Sequence, residues 1–357
     1  MRGLSALGFG PFFERQLLTD DGDRPILARV AAEHRSGYEV WTESGGGGAQ
    51  LCGRLRQNLA DERRPCVGDW AILSGEPAAD RMVAIERLLA RRSAFTRAAA
   101  GRQSGAQAIA ANVDLVFAVC GLDGDFNLRR IERFVARVWA SGAQLVVVLN
   151  KADLSDAGAA CAAQVGTRCA GVPVLTTSAR LGEGVAALRA SIRDGETAAF
   201  VGSSGVGKSS LINALTCEER MRTGEVRERD DRGRHVTTHR QLVLLPQGGL
   251  LLDTPGMREL RLVDDQGLDA AFADIAALAG QCRFRNCREG EPGCAVEEAV
   301  RSELVPADRL EHYRLLEREA EASDRRRDVR LRRQEGRRWG QLHREAARLR
   351  QLKGRFD

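Results

Sequence analysis

The chain contains no apolar run of the roughly 18 residues that a membrane-spanning helix requires. Met1 to Gln16 also lacks the charged-then-apolar layout of a secretory signal. These absences argue against a helical membrane protein and an exported one, which leaves the cytoplasm as the expected compartment. A disulfide framework is missing too. The nine cysteines are odd in number, and most stand alone in apolar stretches, as Cys120 does at the end of Val113-Asp114-Leu115-Val116-Phe117-Ala118-Val119-Cys120. Only Cys282, Cys287 and Cys294 cluster, and in a reduced protein one local group suggests a metal.

What is present is 357 residues, enough for two or three domains with cores of their own, 43% hydrophobic and 29% charged. The net charge of +5 conceals an asymmetry. Arg325 to Arg355 holds thirteen Arg or Lys against three acids, so that segment carries +10 and the remainder −5. A polyanionic partner contacted through the C-terminus follows from this distribution.

Up to about residue 95 the sequence has few helix-period stretches. Short β-like runs, Ile26–Val30, Tyr38–Thr42 and Ala71–Leu73, are separated by turn-rich segments. Gly45-Gly46-Gly47-Gly48 reads as a flexible loop, and Arg97 to Gln107 as a linker. The pattern suits a small β-barrel of OB type, which commonly holds RNA on one face, or another small β-domain. From Asn112 buried-type strands (Leu115–Cys120, Leu145–Leu149, Val172–Leu175, Ala198–Val201) alternate with helical stretches (Leu128–Ala140, near Val185–Ile192, and from Gly207). That alternation predicts a parallel sheet with helices on both faces. Beyond about Leu262 the pattern turns helical, around the cysteine cluster and then the arginine-rich tail.

The strongest chemical signal is Gly202-Ser203-Ser204-Gly205-Val206-Gly207-Lys208-Ser209, which fits a P-loop and sits between a strand and a helix beginning Ser210-Leu211-Ile212. Its backbone N–H groups would close around phosphates, Lys208 would reach the β- and γ-phosphates, and Ser209 would ligate Mg²⁺. The base is identified by Asn150-Lys151-Ala152-Asp153, at the end of a buried strand. A carboxylate at Asp153 can accept from guanine N1–H and N2–H₂, whereas adenine would leave it unpaired. Ser178 and Ala179, closing the next strand, fit the loop that supports guanine from its other side. Downstream, Asp253-Thr254-Pro255-Gly256 follows a strand, so Asp253 would hold Mg²⁺ through water and the Gly256 N–H would sense the γ-phosphate.

Between these lies Arg232 to Thr238, where Thr238, or failing it Thr237, would complete the Mg²⁺ shell; an exposed polar loop is the plainer reading. Met257 stands where Ras-like enzymes carry the water-orienting glutamine, so slow unassisted hydrolysis is expected. His235 is the alternative water-positioning residue, or a surface histidine. The guanine motif precedes the P-loop by about fifty residues, the reverse of the ordinary order, so the fold is circularly permuted. Cys282, Cys287 and Cys294 suit a structural Zn²⁺ site, with Glu289 or His312 as a fourth ligand, against three free cysteines. The tail, with Trp339 embedded, is either an RNA contact or a solvated helix packed through Leu331, Leu342 and Leu349.

Asn-Lys-Ala-Asp, Gly-Ser-Ser-Gly-Val-Gly-Lys-Ser-Ser-Leu-Ile-Asn, Asp-Thr-Pro-Gly and Cys-Arg-Phe-Arg-Asn-Cys…Glu-Pro-Gly-Cys-Ala-Val, in that order, resemble the bacterial RsgA (YjeQ) family over nearly the whole chain. Pro65-Cys66-Val67-Gly68-Asp69-Trp70 resembles that family's OB-barrel signature. The resemblance implies an OB barrel over 1–97, a circularly permuted GTPase domain over 98–262, a mostly helical zinc-binding domain over 263–322 and an arginine-rich tail over 323–357. It further implies GTP hydrolysis stimulated by the 30S subunit and its 16S rRNA during late maturation, with a catalytic role for His235. Nothing in the sequence requires more than a monomer. Where the family's zinc loop carries a histidine this chain has Glu289, and the loop to Cys294 is one residue shorter, which leaves the fourth ligand open. An RNA-binding scaffold with GTP as a structural ligand is the alternative, and a metabolic or transport P-loop ATPase a more distant one.

Overall fold

The computed structural model of the chain describes residues 3–18, 21, 24–34, 36–59, 63–78, 81–98, 106–216, 240–253, 266–283, 287, 293–322 and 325. Contacts divide the chain into two compact units, Met1–Arg261 with Ala270–Phe272, and Leu262–Asp269 with Ala273–Asp357.

The first unit opens with a short helix, α1 (Pro11–Glu14), and five strands: β1 (Ile26–His34), β2 (Gly37–Trp41), β3 (Gly46–Leu51), β4 (Trp70–Leu73) and β5 (Val83–Leu88). A helix, α2 (Gly53–Asn58), follows β3. The strands pair in the order β1-β2-β3-β5-β4, and β4 returns to β1, closing a five-stranded barrel. Period-2 alternation fills its interior with Ala28, Val30, Val40, Ala49, Ala71, Leu73, Val83 and Ile85. The opposite faces of β1 and β4 are also covered: Leu27, Trp70 and Ile72 pack with Leu7 and Phe13 of the N-terminal segment.

The glycine run is not a loop. Gly46, Gly47 and Gly48 lie in β3, opposite Trp41, Val40 and Glu39 of β2. Glycine is needed there for close approach: a Cβ at Gly47 would fall 2.8 Å from the Pro77 Cβ, and one at Gly48 2.4 Å from the Met82 sulfur. The expected linker likewise overlaps two strands. β6 (Ala94–Ala98) and β7 (Ala106–Ala111) pair antiparallel, with Ala94 opposite Ala111 and Ala98 opposite Ala106. The boundary expected after Arg97 falls inside β6.

The alternating region then follows as β8 (Leu115–Gly121), α3 (Leu128–Ala140), β9 (Gln144–Asn150), α4 (Gly158–Arg168), β10 (Val174–Thr176), α5 (Val185–Ala190), β11 (Thr197–Gly202), α6 (Lys208–Thr216), β12 (Gln241–Leu244) and β13 (Leu250–Asp253). The order is β10-β9-β8-β11-β13-β12, parallel except for β12. β8 and β11 are buried along their whole length, as expected of central parallel strands. The Phe117 and Phe200 rings sit 5.0 Å apart in the core between sheet and helices. α3 starts where Asn127 accepts from the Arg130 N–H at 3.0 Å, and it buries Ile131, Phe134, Val135 and Val138.

Barrel and sheet are joined. Ala32 of β1 pairs with Gln241 of β12, making one run of eleven strands. Beside that seam Arg29 is buried, 1% exposed. Its guanidinium donates to the carbonyls of Leu7 and Asn112 (the latter at 3.0 Å) and to Thr197 Oγ1 at 2.8 Å, and it lies 5.7 Å from the Trp70 ring. Burial lowers its pKa to about 10, so it remains a cation at neutral pH.

After β13 the described chain resumes with α7 (Gln266–Ala271). The described part of the second unit is helical: α8 (Ala273–Ala279), α9 (Ala295–Arg301) and α10, over 307–322. Asp274 accepts two bonds from Arg309, each 2.8 Å, and Arg314 pairs with Glu297 at 2.5 Å. No helix among the described residues is long and apolar enough to cross a membrane.

Candidate functional site

The C-terminal ends of β8, β9, β10 and β11 bring four loops together, the position where parallel α/β sheets hold ligands. β11 ends at Gly202, and the chain turns through Ser203, Ser204, Gly205 and Val206 into α6, which begins at Lys208. Val206 is 1% exposed and pins the loop to the core. Gly202 admits no side chain, since a Cβ would lie 2.4 Å from the Val119 carbonyl oxygen of the neighbouring strand. The Lys208 ammonium donates to the Gly202 carbonyl at 2.9 Å and the Ser203 carbonyl at 2.5 Å, curling over the loop. Ser209 and Ser210 occupy the first turn of α6, half-buried.

Asn150, the last residue of β9, is 1% exposed and ties the loops together. Its amide donates to the Val206 carbonyl at 2.8 Å, and its oxygen accepts from Thr177 Oγ1 at 3.0 Å and the Ala179 N–H at 3.1 Å. Lys151 follows with φ +66°, an uncommon conformation for a non-glycine residue and one that recurs at functional sites. Asp153 lies in the 3₁₀ turn Ala152–Leu154, and its Oδ1 accepts from Ser178 Oγ at 2.6 Å. That hydroxyl holds the Asp153 carboxyl below its usual pKa against the opposing effect of burial, helped by Arg180 and Lys151. The carboxylate therefore stays ionised at neutral pH, with its Oδ2 3.9 Å from Arg180 Nη1.

A residue the sequence reading passed over also belongs to this cluster. The Lys151 ammonium is paired with Asp123, in the loop after β8. The available signal was positional: an acidic, glycine-containing stretch, Gly121-Leu122-Asp123-Gly124-Asp125, directly follows a fully buried parallel strand.

Asp253 closes β13, with its backbone opposite Gln241. His235, Thr237, Thr238, Gly256, Met257 and Glu289 lie outside the described residues, as do Trp339 and the tail apart from Arg325.

In the second unit the sulfurs of Cys282, Cys287 and Cys294 lie within 4.8 Å of one another. Burial raises the Cys282 thiol, but the N–H groups of Ala295 and Val296 at the start of α9 outweigh it, so its pKa falls below the usual value. Burial and the two neighbouring thiols push Cys287 up to about 12. Three converging sulfurs, one of them held below its usual pKa, suit a thiophilic cation. His312, one of the expected fourth ligands, is not part of this group; it is buried, 2% exposed.

A family model described as RsgA GTPase matches residues 88–263. A protein of Vibrio parahaemolyticus named small ribosomal subunit biogenesis GTPase RsgA 2 is 45% identical over 318 residues, covering 88% of this chain and 85% of that one. The RsgA protein of Opitutus terrae is 42% identical over 365 residues, covering 99% and 100%. The crystal structure of YjeQ from Thermotoga maritima superposes with a TM-score of 0.63 at 26% identity, covering 83% of this chain and 99% of that one.

Proposed function

The chain belongs to the RsgA GTPase family, and from that premise we propose that the loops gathered around Asn150 bind guanine nucleotide. The protein is a GTP hydrolase that acts in biogenesis of the small ribosomal subunit. The observation that carries the site assignment is the three-way hydrogen bonding of Asn150 to Val206, Thr177 and Ala179. It makes the Asn-Lys-x-Asp loop, the Ser178-Ala179 loop and the P-loop one rigid receptor, although the chain visits them in permuted order.

In this reading Gly202 to Ser210 wrap the phosphates with backbone N–H groups. Lys208 exchanges its two carbonyl partners for the β- and γ-phosphates. Asp153 accepts from guanine N1–H and N2–H₂, held in place by Ser178, while Asn150, Lys151 and Ala179 frame the base. Ser209, Asp253 and Thr238 would hold Mg²⁺, with Gly256 and His235 assigned from sequence to the γ-phosphate and the attacking water. Mg²⁺ would supply neutralisation of charge on the transferred phosphate. Cys282, Cys287 and Cys294 would hold Zn²⁺, which would cross-link the start of α9 to the end of α8.

The partner is the 30S subunit and its 16S rRNA, met through the barrel (which we read as OB-type) and the basic tail during late maturation. The test is GTP turnover with and without isolated 30S subunits at low and high salt. Stimulation that fades as salt rises is expected; turnover unchanged by 30S under both conditions would reject subunit activation.

A further inference from the structure

We propose that Asp123 is a positioning residue for nucleotide binding, acting through Lys151. This rests on the assignment of Lys151 to the guanine site. The pair is partly buried, with side chains 32% and 27% exposed, so it is better shielded than a typical surface ion pair. Its acidic half is set in a built loop. The Leu122 N–H donates to the Asn150 carbonyl at 2.9 Å, coupling the loop to the end of β9. Asp125 pairs with Arg130 at 2.7 Å, and Asn127 caps α3. The Asp123 carboxylate folds back against Gly121, where a Cβ would lie 2.3 Å from Oδ1.

Lysine carries a long stem with many rotamers, and fixing it only when ligand arrives costs affinity. Lys151 leaves β9 in a left-handed conformation, and Asp123 holds its ammonium. The carboxylate thus pre-sets the lysine stem along the edge of the base site. Asp123 touches neither the P-loop nor Asp153 in the described contacts, so its effect should fall on nucleotide affinity and leave the chemical step alone.

The experiment is a double-mutant cycle with steady-state GTP kinetics and equilibrium binding of a fluorescent GDP analogue. Asp123→Asn should raise KM for GTP and weaken GDP analogue binding about tenfold, with kcat unchanged. Asp123→Glu should recover most of the loss. In a Lys151→Met background Asp123→Asn should have no further effect. Equal losses in both backgrounds, or a fall in kcat with KM unchanged, would overturn the proposal. A Lys151→Met protein with wild-type KM would instead remove Lys151 from the guanine site, a failure of the underlying assignment that the cycle separates from the first.

Discussion

The side-chain amide of Asn150 donates to the Val206 carbonyl at 2.8 Å, joining two loops 56 residues apart in the chain. The contact depends on Gly207, whose φ is +93° and where a Cβ would lie 2.2 Å from Asn150 Nδ2. Gly207→Ala should therefore act at both loops. It strains the P-loop backbone, by about 1–2 kcal/mol, and pushes the Asn150 amide away. The expected outcome is a loss of GTP affinity of at least tenfold in equilibrium binding, with the fold retained by circular dichroism. Affinity within twofold of wild type would show that the two loops bind independently.

The parallel strands and α3 were legible because burial on both faces leaves a mark in sequence. Leu115–Gly121 and Gln144–Asn150 are near-continuous apolar runs, and Leu128–Ala140 shows helical spacing after an asparagine cap. The P-loop and Asn150–Asp153 were legible because their chemistry demands particular residues at fixed spacing. Gly46–Gly48 misled because glycine signals either freedom or close approach, and the Pro77 and Met82 contacts that decide between them come from elsewhere in the chain. Arg29 and Asp123 were illegible for a related reason. A lone arginine in a strand and an aspartate in a loop acquire meaning only from Thr197, 168 residues away, and Lys151, 28 residues away.

Ser178 and Asp153 form the next testable pair. The Ser178 hydroxyl fills one lone pair of Oδ1 and keeps the carboxyl ionised. Ser178→Ala should lower GTP affinity several-fold, because the carboxylate loses the hydroxyl that orients it. Asp153→Asn should do more: GTP binding weakens while xanthosine triphosphate gains, because an amide offers a donor to the C2 carbonyl. Competition between the two nucleotides in a turnover assay reads the switch. Unchanged preference in Asp153→Asn would remove Asp153 from the base site.

At the seam between barrel and sheet, Arg29 makes a different prediction for two substitutions. Arg29→Ala deletes the donors to Asn112 and Thr197, leaves the Asn112 and Leu7 carbonyls short of a partner, and opens a cavity beside Trp70. The cost should be about 3 kcal/mol. Arg29→Met keeps the volume and relieves the charge desolvation that drags the arginine pKa down, so it should cost clearly less. Urea unfolding of the two variants beside wild type measures the difference. Equal midpoints for Ala and Met would mean that the hydrogen bonds alone, and not the packing, are what Arg29 contributes.

The helical second unit carries a pH dependence whose sign follows from Asp274. Burial alone would raise its pKa, but the two bonds from Arg309 outweigh that and leave it below the ordinary carboxylate value. The unfolded chain then takes up the proton more readily than the folded one. The pair's contribution to stability is complete above the unfolded value of about 3.9 and is lost as pH falls through the lower, folded value. Asp274→Asn removes the charge partner of an arginine that is itself 5% exposed, so at pH 7 the variant should exchange amide hydrogens faster than wild type across 273–279 and 307–322. The gap, corrected for intrinsic exchange rates, should narrow at a second, acidic pH below the ordinary carboxylate value, where wild-type Asp274 takes up its proton. A gap of the same size at both pH values would mean that the carboxylate's charge is not what holds Arg309, and that the geometry of the pair matters more than its ionisation.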